Sequence, residues 1–178
     1  MSSAGSSRAE DIVVRRGGPD DAADFCRILD PIISGRRHSM LEATFSEREE
    51  RRFLRDLPQP HVVRVAELGG AVVGFQVVEP LMPGVPTFAH VATTGIWVDL
   101  EWRRRGVGSA LSQASCAAAA RLGYEKIFTD VRADNEDSLA FHLAMGYVVV
   151  GTARRHVRID GNDIDVVFIE KPLACEGA

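Results

Sequence analysis

A chain of 178 residues, 46% hydrophobic and 26% charged, can bury one ordinary core and is too apolar to be mostly disordered. A net charge of −4 gives no basic footprint for nucleic acid, and no apolar run approaches the roughly 18 residues of a membrane span. The expected partners therefore include neither nucleic acid nor membrane.

Residues 1–10 are polar and Ser-rich and are expected to form a disordered tail. They lack the apolar segment of a secretory leader, so a cytoplasmic location is expected. Residues 12–16 (IVVRR) predict a short strand, and Gly17-Gly18-Pro19 then leads into Asp20 and Asp21, a proline-and-acid helix start. Ala22, Phe25, Cys26 and Leu29 recur at helical spacing, with Pro31 expected to mark the end. Residues 32–45 carry no clean period. Ser46 and Glu49 form a capping box for a helix to about Leu57, with Phe45 placed to staple onto its first turn.

From His61 the texture becomes β-branched: VVRVAEL, Gly69-Gly70, AVVGFQVVEP, a hairpin around a two-residue turn. Prolines at 80, 83 and 86 predict a loop. Residues 88–98 predict a strand longer than the usual five or six residues, with room for a bulge or bend. The alanine-rich segment 108–122 predicts a helix ended by Gly123, residues 126–131 a strand, and residues 135–145 a helix ended by Gly146. Residues 147–157 and 164–170 predict a last hairpin turning at Asp160-Gly161. One α/β domain over 11–173 is expected, followed by a short tail over 174–178, with a mixed, mostly antiparallel sheet of six to seven strands and helices on both faces.

The chemically informative segment runs from Val98 through Arg103-x-x-Gly106-x-Gly108 into a helix. Glycines there allow close approach of backbone to a ligand, and the free N–H groups at a helix start suit a phosphate or pyrophosphate. The segment lacks both GxxxxGK[ST] and the full GxGxxG, so neither standard phosphate motif applies. Cys26, Cys116 and Cys175 form no CxxC pair, and no metal site is expected. Cys116, mid-helix among alanines, reads as core. Asp160-Gly-Asn-Asp163 lacks the spacing of a calcium loop, and Arg154, Arg155, His156 and Arg158 read as a solvated strand surface.

Arg103-x-x-Gly106-x-Gly108 after a strand ending in Val98, together with the Asn135-led helix ending in Gly146-Tyr147, resembles the GNAT superfamily of N-acetyltransferases over nearly the whole chain. The resemblance implies a pair of parallel strands that splay apart, residues up to Val98 and residues 126–131, with acetyl-CoA as acyl donor in the gap. It implies that Arg103, Arg104, Arg105, Gly106, Val107, Gly108 and Ser109 hold the pyrophosphate. Backbone groups of Ile96, Trp97 and Val98 would bond the pantetheine arm and meet the oxyanion, with Asn135 and Ser138 also at the cofactor.

The reaction implied is direct attack of a primary amine through a tetrahedral intermediate. The position where the family often carries an acidic tyrosine, seven residues after the asparagine, holds His142, as general acid or thiolate contact, against a helix histidine packed on the sheet. The family's strand glutamate falls at Thr93, so Glu79, His90 or a water chain remain as the base. Acceptor specificity is expected from residues 32–45 and 81–88, and a small-molecule amine or amino-acid derivative is the expected acceptor. A protein N-terminus or lysine, or a non-catalytic acyl-CoA sensor, are the alternatives. By resemblance, a homodimer is expected.

Overall fold

The computed structural model describes residues 11–174, so both predicted tails lie almost entirely outside the described residues. Strands β1 (Val13–Arg16), β2 (Val62–Leu68), β3 (Ala71–Pro80), β4 (Val91–Val98), β5 (Lys126–Arg132), β6 (Val148–Ile159) and β7 (Asn162–Pro172) form one sheet in the order β1-β2-β3-β4-β5-β7-β6. Every neighbouring pair is antiparallel except β4 and β5.

Alternation along β2 and β3 sends residues to two cores. Val63, Val65, Phe75 and Val77 pack with α1 (Ala22–Ser34) and α2 (Glu47–Asp56) on one face. Val62, Ala66 and Val78 face the other side, where α3 (Val107–Arg121) and the residues flanking α4 (Glu136–Ala144) cover the sheet. Two-sided burial explains why these strands are near-continuous in apolar residues.

Expectations for α1 and β4 are corrected. Helix α1 does not end at Pro31 but runs through it to Ser34: Ile32 and Ile33, each 1% exposed, anchor the extra turn, and the Pro31 carbonyl accepts from Gly35 N–H at 3.0 Å. Strand β4 starts at Val91 instead of 88 and pairs with β3 without a register shift, because Pro86–Phe88 forms a 3-10 turn. The expected irregularities fall elsewhere, at Ala66/Glu67 and between Ala153 and Val157. The second of these breaks the alternation of β6 and leaves Arg154, Arg155, His156 and Arg158 exposed, with Arg155 and Arg158 held by Asp163.

The capping box of α2 is present: Ser46 N–H donates to Glu49 Oε2 at 2.8 Å and Ser46 Oγ accepts from Glu49 N–H at 3.3 Å. The staple is not, since Glu50 stands where it needs an apolar partner, and Phe45 packs on the α1 core instead. Among the described residues no helix is long and apolar enough to cross a membrane.

Candidate active site

Strands β4 and β5 are paired only at Val91/Lys126 and Ala92/Ile127, then part. Asp99 N–H donates to Val73 O and Leu81 N–H to Val91 O, so odd-numbered residues of β4 turn their backbone toward β3. Even-numbered ones therefore face the gap. The Thr94 carbonyl is met by Thr129 Oγ1 at 2.9 Å and the Val98 carbonyl by Arg103 Nε at 3.4 Å, while Ile96 N–H and C=O and Val98 N–H look into the opening.

Helix α3 starts at one end of that gap. Gly106 sits at φ +87° and its carbonyl takes the first intrahelical bond, from Ala110 N–H at 3.0 Å. The N–H groups of Val107, Gly108 and Ser109 consequently have no intrahelical acceptor. The positive φ requires glycine at 106. At Gly108 the constraint is space, since an added Cβ would lie 3.1 Å from the Phe141 ring. Arg104 holds φ +59° and pairs with Asp137 at 3.5 Å in the open, whereas Arg105 lies over the Trp102 ring at 4.7 Å. Both glycines, Arg103, Arg104, Ser109, Trp97, Val98 and Phe141 line a cleft of about 290 Å³. Its floor of free N–H groups at a helix N-terminus fits a pyrophosphate.

Across the splay lies a second cavity of about 790 Å³, and Ile96, Trp97, Asn135, Ser138 and His38 line both. Asn135 caps α4, its side-chain oxygen accepting from Ser138 N–H at 3.3 Å. The Trp97 indole stacks on Phe75 and lies over Gly95, leaving no room there for a side chain.

His142 is 6% exposed and lines this cavity, with Nδ1 2.8 Å from the Ser138 carbonyl. A carbonyl can only accept, so the proton of the neutral ring sits on Nδ1 and Nε2 carries the lone pair. Burial lowers the pKa, opposed by the Ser138 bond, which favours that neutral form. In this tautomer Nδ1 is the donor and Nε2 the acceptor of the ring.

Glu79 lines the cavity too, and its pKa is raised, chiefly by burial. It is the direct cross-strand partner of Thr93, so its carboxylate shares a face with the position where a strand glutamate was expected and absent. His90 is not brought to the site. It is exposed, precedes β4, and its carbonyl accepts from Glu125 N–H at the closed end of the strand pair, six residues and about 20 Å of strand from Ile96.

Of the two expected acceptor segments, residues 38–41 and Phe45 line the cavity and residues 81–88 do not. Arg132, 5% exposed, fixes the first: it pairs with Asp134 at 2.7 Å and donates to the carbonyls of Arg36 and Ser39 at 2.8 and 2.9 Å.

Among the lining residues that the sequence did not single out are two carboxylates. Glu50, 5% exposed, was hidden in the charge run of α2, and Asp130 in β5; burial raises both carboxyl pKa values. The usable signal for Glu50 was its position on the helix face shared with Leu54. Cys116 is buried with its pKa raised, as core. Tyr124 donates its hydroxyl to the Pro60 carbonyl at 2.6 Å and takes no part, while Tyr147 packs edge-on to His142 at 5.1 Å.

Residues 29–147 match the acetyltransferase (GNAT) family. The N-alpha-acetyltransferase RimI of Mycobacterium tuberculosis is 35% identical over 112 residues, 62% of this chain and 68% of that protein. The phosphinothricin N-acetyltransferase of Streptomyces coelicolor is 25% identical over 167 residues, 92% and 97% of the two chains. A GNAT superfamily phosphinothricin acetyltransferase from Sinorhizobium meliloti, solved in complex with acetyl-CoA, shares the fold at TM-score 0.84 and 21% identity over 92% of this chain and 89% of that one. With a strand pair that splays beside a glycine-turned helix start, the chain belongs to the acetyltransferase (GNAT) family and is an acetyl-CoA-dependent N-acetyltransferase.

Proposed function

We propose that this enzyme acetylates a primary amine of a small molecule, with acetyl-CoA along the 290 Å³ cleft and the acceptor in the 790 Å³ cavity. The observation that carries the reading is that the two spaces share the lining residues Ile96, Trp97, Asn135, Ser138 and His38, beside the place where β4 and β5 part. A cavity of that size is in the range of small-molecule sites.

The N–H groups of Val107, Gly108 and Ser109, with Arg103 at the rim, hold the pyrophosphate, supported by the positive end of α3. Ile96 and Val98 offer backbone bonds to the pantetheine arm and a donor toward charge developing on the acetyl oxygen. When bound, acetyl-CoA supplies an activated thioester. Glu79 takes the proton of the acceptor ammonium, directly or through water, and its raised pKa brings it closer to the task than an ordinary carboxylate. His142 offers the Nε2 lone pair to an amine or water proton, and Asn135 keeps the first turn of α4 at the junction.

The test is free-thiol release from acetyl-CoA against small amines, amino acids and peptides, with Glu79→Gln alongside. Turnover of small amines that falls at least tenfold in Glu79→Gln is expected. The 35% identity to RimI favours a second reading, a protein N-terminus. A higher kcat/KM for peptides than for every small amine would establish it and overturn the first.

A further inference from the structure

The acceptor cavity carries more buried negative charge than one amine needs. Glu50, in the first turn of α2, is 5% exposed and lines the cavity, and no described residue donates a hydrogen bond or ion pair to its carboxylate. Glu79 on β3 and Asp130 on β5 are half-buried and likewise unpaired among the described residues, and burial is the leading cause of the raised pKa of all three. A buried carboxylate without a partner is costly in the free protein, and its presence on a cavity wall marks a place for a cation.

The cationic side chains of the cavity do not supply that partner. Arg132 is engaged by Asp134 and two carbonyls, Arg52 is exposed, and burial, the leading cause, lowers the pKa of His38. An α-amino acid would set its own carboxylate among these groups, and a monoamine would neutralise one of them. Phe53, three residues after Glu50, shares its helix face and lines the cavity, adding an aromatic surface that attracts cations.

We propose that the acceptor is a compound with two cationic amino groups, one presented for acetylation beside Glu79 and the other seated on Glu50. The idea rests on the transferase reading above, and binding separates the two. Protein saturated with CoA is titrated calorimetrically at pH 7.5 with 1,4-diaminobutane, n-butylamine and norleucine, and thiol release from acetyl-CoA is measured with the same three.

The diamine is expected to bind at least tenfold more tightly than either comparison compound, about 1.4 kcal/mol. Glu50→Gln is expected to remove most of that preference, and Glu50→Asp to keep part of it. Equal affinities in the wild type, or a preference that Glu50→Gln leaves intact while CoA still binds, overturns the proposal. A diamine preference in binding without thiol release leaves the Glu50 subsite standing and refutes the diamine as the group acetylated beside Glu79.

Discussion

Gly108→Val tests the cofactor cleft most directly. A Cβ at this position lies 3.1 Å from Phe141 Cε2 and 3.2 Å from Cζ, closer than ordinary van der Waals contact, and valine adds two methyl groups beyond it. Such overpacking costs about 1–3 kcal/mol, against a few tenths regained because valine is a better helix former than glycine. Phe141 lines the same cleft as Gly108, so a ring displaced into the cleft transfers the cost to the bound state. That corresponds to a roughly 5- to 150-fold weaker acetyl-CoA Kd, with Tm nearly unchanged. If the first turn of α3 yields instead, Tm falls as well. Calorimetry and thermal unfolding read the two, and Phe141→Ala in the Gly108→Val background is expected to recover affinity by returning the space. A Gly108→Val variant with Kd and Tm both within error of wild type would refute the assignment of this helix start to the cofactor.

Gly106→Ala meets no side chain closer than Ile12 at 3.7 Å, so its cost is backbone strain at φ +87°, about 1–2 kcal/mol, read as a Tm lower by roughly 2–8 °C. Glu50→Gln is expected to raise Tm at pH 7.5. Above its ordinary value of about 4.3 the unfolded chain has released a proton that the native carboxyl still holds, so stability falls as pH rises through the window up to the raised native pKa; the advantage of glutamine should vanish by pH 4.

For His142 the sign is opposite. The native ring releases its proton below the ordinary value of about 6.5, so the stability it contributes is present above that value and is lost as pH falls through the native pKa; NMR titration should place its midpoint below 6.5. Arg132→Met removes charge-assisted bonds to Asp134 and to the carbonyls of Arg36 and Ser39. It is expected to cost about 2–3 kcal/mol and to raise the acceptor KM more than the acetyl-CoA KM, measured by thiol release.

Local chemistry was legible in the chain. The capping box at Ser46, the Gly69-Gly70 hairpin, the glycine-turned start of α3 and the glycine ends of α3 and α4 each depend on a few adjacent residues, and each stands where the sequence puts it. Proline at 31 misled because its cost to the helix is local, whereas the burial of Ile32 and Ile33 that outweighs it is tertiary.

The cleft proposed for the cofactor was readable for the same reason: it is built on one contiguous turn and its helix. The cavity proposed for the acceptor was not, because it is assembled from α2, β3, β5 and the 38–41 segment, far apart in sequence. Only packing decides that Glu50, alone in a run of exposed charges, is buried, that Glu79 stands across from Thr93, and that His90 is left at the far end of β4. The direction in which His142 shares its proton also depends on a fold-level fact: a buried ring bonded to the Ser138 carbonyl keeps its proton on Nδ1 and leaves the lone pair on Nε2.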